Sequence, residues 1–138
     1  MAMADDQKQI GLLPPVFAEW FAARGWEVRP HQAALIEAAQ KGQGGLVIAP
    51  TGGGKTLAGF LPSLIELAAA PPRDMPALHT LYVSPLKALA TDVARNLKTP
   101  VEEMKLGITL ETRTGDTSAS RRQRQRAKPP DILPSLTC

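Results

Sequence analysis

The apolar stretch Leu46-Val47-Ile48 runs into Ala49-Pro50-Thr51-Gly52-Gly53-Gly54-Lys55-Thr56 and then into Leu57-Ala58-Gly59-Phe60-Leu61. Three glycines, a lysine and a hydroxyl residue, set between a strand-like and a helix-like segment, make the phosphate loop of a nucleoside triphosphate site. The chemistry asks for these residue types. A triphosphate is wrapped by backbone N–H groups, and glycines let the main chain come close and take up positive φ. Lys55 supplies a point charge to the β- and γ-phosphates and Thr56 offers its hydroxyl to Mg²⁺, where the positive end of a helix dipole begins. Ala49 stands where the general pattern has its first glycine, which narrows the family.

The flanking segments predict the rest of the architecture. Pro14-Pro15 opens a helix with Val16, Phe17, Trp20 and Phe21 on one face, stopped by Gly25. A second helix starts at Pro30 and ends before Gly42. Leu46-Val47-Ile48 is expected as the first strand, and the helix over 55–69 holds Pro62 in its interior, where a kink or a lost hydrogen bond follows. Residues 70–76 form a proline-rich surface connection. Leu78 to Val83 is predicted as a buried strand, Leu86 to Leu97 as a helix, Ile108 to Thr112 as a third strand, and Thr117 to Ala127 as a helix started by Thr117 or Ser118. Short strands alternating with helices specify an α/β fold with a parallel sheet flanked by helices. Trp26, Phe17 and Phe21 read as core.

At 138 residues the chain has the length of one domain, and 43% hydrophobic with 21% charged residues reads as soluble and globular. No apolar run approaches the roughly 20 residues that span a bilayer. Residues 1–10 are expected to be disordered and carry no leader pattern, so a cytoplasmic protein without a membrane partner is expected. Cys138 is the single cysteine, and His31 and His79 are too scattered for a metal cluster. The net charge of +3 is unevenly placed: residues 112–138 hold six basic side chains against two acidic ones. Such a patch suits a polyanion or forms a solvated helix face.

Three further constellations matter. Gln32, in Arg29-Pro30-His31-Gln32, can donate and accept at once, as the N6 and N7 positions of adenine require; the alternative is an ordinary polar residue in a first helical turn. Ser84-Pro85-Leu86-Lys87 sits at the C-terminal end of a predicted strand, the edge where parallel sheets collect ligands. It reads either as a phosphate contact for a nucleic-acid strand or as a plain strand-to-helix turn. Arg113-Thr114-Gly115-Asp116-Thr117 follows the third strand in the same way, with Gly115 able to bend the chain and Arg113 and the hydroxyls available to phosphates. Both loops are expected to open on one side of the sheet.

In order and spacing, Arg29-Pro30-His31-Gln32, Ala49 to Thr56, Ser84 to Leu89 and Arg113 to Thr117 resemble the first motifs of superfamily 2 DEAD/DEAH-box helicases, nearest to the large helicase-related group with its ligase-associated DEXH-box DNA helicases. The resemblance implies a P-loop NTPase of RecA-like fold, incomplete, covering residues 11–133, with 134–138 as an aberrant or truncated tail. It implies ATP and Mg²⁺ as cofactors and a tracking strand of single-stranded DNA as partner. Gln32 would recognise adenine, Thr51, Gly52, Gly53, Gly54, Lys55 and Thr56 would hold phosphate and metal, and Ser84, Pro85, Leu86, Lys87, Arg113, Thr114 and Gly115 would grip DNA. Catalysis in that family belongs to a D-E-x-H motif and to arginines of a second RecA-like domain. This sequence has no D-E-x-H, and the family's threonine-proline-glutamate turn is replaced by Pro134-Ser135-Leu136-Thr137-Cys138. A truncated or frame-shifted helicase segment that binds but does not hydrolyse ATP is therefore expected, with no catalytic residue assigned. The alternatives are a small P-loop phosphotransferase, drawing on Asp92, Asp116 or Asp131 for metal, and a binding module held by Arg121, Arg122, Arg124 and Arg126.

Overall fold

The computed structural model describes residues 12–48, 55–71 and 74–136, with the side chain of Lys55 outside the described atoms. Its contacts cluster into two compact units, Met1–Ile65 and Glu66–Cys138, where the sequence pattern predicts one continuous domain.

The first unit is helical. Helix α1 (Pro15–Ala23) has proline in its first turn and buries Phe17 and Phe21, one turn apart. It stops where Gly25 takes φ +67°, a conformation that costs a side-chain-bearing residue about 1–2 kcal/mol. Trp26 departs from its expected core position: it is half-exposed and stands edge-on to Trp20 and Phe21, and Arg24 lies over both indoles. Helix α2 (Pro30–Gln40) buries Gln32, Ala33 and Ile36. Helix α3 (Lys55–Ala69) begins in this unit and continues through Pro62, whose missing N–H removes the bond to the Ala58 carbonyl. Ala58, Leu61 and Leu64, three positions apart, are fully buried, and Phe60 is buried as well.

Leu46-Val47-Ile48 does not form the expected strand. Leu46 and Ile48 are 84% and 89% exposed. A strand exists only where a neighbour takes its N–H and C=O groups, and no described segment of this unit pairs with it.

The second unit holds the sheet. Strands β1 (Thr80–Ser84) and β2 (Ile132–Leu136) pair in parallel, with Thr80 opposite Ile132 and Ser84 opposite Leu136. Between them in sequence come α4 (Lys87–Glu103) and α5 (Ala119–Ala127). Helix α4 packs on both strands through a face that buries Ala90, Val93, Leu97 and Val101. That face outlasts the predicted end at Leu97, so one lost hydrogen bond at Pro100 does not stop the helix. Strand β1 starts two residues later than predicted and is not buried throughout, since Leu81 and Val83 are exposed.

The predicted third strand over 108–112 lies along the far edge of β2 as two bridges, Leu110 to Ile132 and Arg113 to Ser135. The reason is Pro134. Ile132 N–H donates to the Thr109 carbonyl and Leu136 N–H to the Arg113 carbonyl, at 3.1 and 2.9 Å. Between these two bonds the ladder needs an N–H at 134, which proline lacks. Asp131 pins the register instead: its carboxylate accepts from the Thr109 N–H and hydroxyl at 3.0 and 3.1 Å. Residues 134–136, assigned from sequence to an aberrant tail, are thus part of β2, with Pro134 fully buried.

Candidate nucleotide and nucleic-acid sites

On the nucleotide side, Thr51, Gly52, Gly53 and Gly54 lie outside the described residues, as does the side chain of Lys55. Thr56 is exposed at the second position of α3, in the turn whose N–H groups have no intrahelical acceptor. Gln32 is buried, and its Oε1 accepts a 2.9 Å bond from the Arg29 N–H, so the side chain closes the start of its own helix. His31, which spacing did not single out, holds its Nε2 buried without a hydrogen-bond partner among the described residues.

The two predicted nucleic-acid loops lie together in the second unit. Ser84, at the end of β1, is buried, and its Oγ meets both the N–H and the carbonyl of Leu86 at 3.2 Å. Its hydroxyl therefore shapes the turn, while Pro85, Leu86 and Lys87 are exposed on the outside of it. The second loop is held by its own hydroxyls: Thr114 N–H donates to Thr117 Oγ1 at 2.9 Å and Asp116 N–H to Thr114 Oγ1 at 3.3 Å. Thr114 is buried, Arg113 is half-buried and Gly115 is exposed. Lys87 and Asp116 form an ion pair that joins the first loop to the second.

Helix α5 braces the second loop from behind. Ser118 caps it by accepting from the Arg121 N–H at 3.2 Å. Arg122 Nη2 donates to the Thr114 carbonyl at 2.9 Å, Gln125 Nε2 to the Thr112 carbonyl at 3.1 Å, and Arg124 pairs with Glu111 at 2.9 Å. Two of the four arginines thus face their own unit, and Arg121 and Arg126 are exposed. Gln125 is buried, and its Oε1 has no partner among the described residues. Gln125→Leu keeps the volume, relieves that orphan oxygen and removes the donor to Thr112. A net loss of about 1 kcal/mol is expected, read as a lower denaturant midpoint at unchanged m-value.

The carboxylates do not converge. Asp131 is bound to Thr109, Asp116 to Lys87, and Asp92 lies 3.8 Å from Arg95. Among the described residues no three His, Cys, Asp or Glu side chains group as a metal site, and no helix is long and apolar enough to cross a membrane. A cleft of about 1030 Å³ in the second unit, lined by Leu67, Pro76, Thr109, Glu111 and Lys128 among others, takes in Arg124 and Asp131 from the two alternative readings and none of the residues predicted to hold ATP or DNA.

Residues 29–136 match the family model of the DEAD/DEAH box helicases. Over 134 residues the chain is 40% identical to an Lhr helicase and probable uracil glycosylase of Mycolicibacterium smegmatis, covering 90% of this chain and 9% of that protein. The structure of the Mycobacterium smegmatis helicase Lhr bound to single-stranded DNA and AMP-PNP superposes with a TM-score of 0.80 at 40% identity, over 93% of this chain and 17% of that one. The DUF1998 helicase MrfA bound to DNA and AMPPNP gives 0.77 at 30% identity, over 91% of this chain and 17% of that one. The chain therefore spans less than a fifth of the length of these relatives.

Proposed function

The chain belongs to the DEAD/DEAH box helicase family, and on that premise we propose that it is the ATP-binding and nucleic-acid-binding segment of an Lhr-like ATP-dependent DNA helicase. The observation that carries this reading is the ordered set of four motifs within the matched residues, the two predicted DNA loops standing side by side at the strand ends. Lys55 and Thr56 take the triphosphate and its Mg²⁺, and Gln32 positions the start of α2 for adenine. Lys87, Arg113 and the backbone around Gly115 take consecutive phosphates of single-stranded DNA. Hydrolysis needs metal-holding carboxylates and a transition-state arginine. The sequence has no D-E-x-H, so these 138 residues bind ATP without turning it over. The scattering of Asp92, Asp116 and Asp131 speaks against a free-standing phosphotransferase.

Binding of fluorescein-labelled single-stranded DNA, followed by anisotropy across a salt series, tests the reading. The logarithm of affinity should fall linearly with the logarithm of salt, and Arg113→Ala should lower the slope by about 0.7, the value for one single-strand phosphate contact. Absence of binding at low salt, or a slope untouched by Arg113→Ala, would overturn the assignment of this rim.

A further inference from the structure

Lys87 is the predicted cation of the first DNA loop, and the structure occupies it with a carboxylate from the second. We propose that Asp116 sets the affinity of this rim for polynucleotide, acting as an internal counter-anion on Lys87 that an incoming phosphate must displace. The proposal rests on the reading of the two loops as a DNA contact and adds to it a residue that opposes binding.

The two partners differ in their freedom to move. Lys87 carries its ammonium on a flexible four-carbon stem at the first position of α4, 54% exposed. The carboxylate of Asp116 is 72% exposed but sits on a short stem from a fixed backbone. That backbone is tied by the bonds from Asp116 N–H to Thr114 Oγ1 and from Thr114 N–H to Thr117 Oγ1, and from behind by Arg122 on the Thr114 carbonyl. An ion pair this open to solvent is weak, so a phosphate can take the ammonium from it. Asp116 then stays at the rim and faces the phosphate with like charge. Its charge thus acts twice, first as competitor for Lys87 and then as a standing repulsion.

The two contributions separate in a cycle of four proteins: the wild-type chain, Asp116→Asn, Lys87→Ala and the double variant. Each is titrated with fluorescein-labelled oligothymidylate over a salt series. Asparagine matches aspartate in size, and the hydrogen bond of the Asp116 N–H is independent of its side chain, so the fold is kept; thermal unfolding of each protein checks this. Asp116→Asn should tighten binding by about threefold to tenfold at low salt, as expected for removing one charge within a few ångströms of a phosphate, with the gain shrinking as salt rises. In the Lys87→Ala background the same change should bring less than half of that gain. Asp116→Glu, which restores the charge, should return binding toward the wild-type value.

Equal gains in both backgrounds would show repulsion without competition and overturn the proposal, as would no gain in the wild-type background. Wild-type binding with either of those outcomes sinks the counter-anion alone. No binding by any of the proteins sinks the DNA reading and the counter-anion together.

Discussion

Lys55→Ala is expected to weaken binding of a fluorescent ATP analogue by about 10- to 150-fold, the equivalent of about 1.5–3 kcal/mol for a hydrogen bond to a charged group. Lys55 is the sole full positive charge in the run Ala49 to Thr56. On the proposed reading the backbone N–H groups of a phosphate loop contribute only partial charges, so the substitution takes away the neutralisation. Thr56→Ala is the informative companion, because its hydroxyl is assigned to the metal and not to the phosphate. Its loss should weaken binding in the presence of Mg²⁺ and have little effect in EDTA, whereas Lys55→Ala should weaken binding in both. A Lys55→Ala chain that binds the analogue as the parent does would refute the phosphate loop, and a Thr56→Ala effect that survives chelation would refute the metal contact.

Short-range signals carried most of what could be read from the chain. Proline in the first turn and glycine after the last one bound α1 and α2 on both sides, and of the face expected for α1 the structure buries Phe17 and Phe21 but leaves Val16 38% exposed. Glycines, lysine and threonine in one run named the nucleotide chemistry because each residue answers a separate demand of a triphosphate. What escaped depended on partners distant in sequence. Leu46-Val47-Ile48 has strand composition, but composition cannot supply the neighbouring strand that makes it one. Pro134 reads as the start of a tail because the family's threonine-proline-glutamate turn is replaced there, yet the proline costs one bond on one edge, and β2 keeps its pairing with β1 on the other.

The site shows the same division. Ser84 and Gln32 were singled out as polar groups at the right places, and both turned out to serve the local backbone, one in a turn and one at a helix start. Asp116 was visible in the motif, but nothing in its spacing announced a partner twenty-nine positions upstream. Gln125 and Arg122 sit in a stretch whose charge suggests a solvated helix, and their service to Thr112 and Thr114 required the loop to fold back on α5.

Leu97→Ala is expected to be the most damaging single truncation in the second unit. Leu97 is 1% exposed at the centre of the α4 face against the sheet, and comparable leucine truncations cost about 2.7–5 kcal/mol through lost transfer energy and the cavity left behind. A domain of about 60–100 residues loses about 4–8 °C of Tm per kcal/mol, so a fall of more than about 10 °C should be seen. Leu89, on the same helix but 44% exposed, should lose less than about 0.5 kcal/mol on the same change. Lys87 opens this helix, which makes the comparison functional as well as structural. Well below its own midpoint, Leu97→Ala should still bind single-stranded DNA with near-parental affinity, while Lys87→Ala should keep the parental midpoint and alter the salt dependence of binding. If Leu97→Ala instead lost DNA binding while fully folded, the rim would depend on the packing of α4 and not on the charges it carries, and the assignment of Lys87 as a direct contact would fall with it.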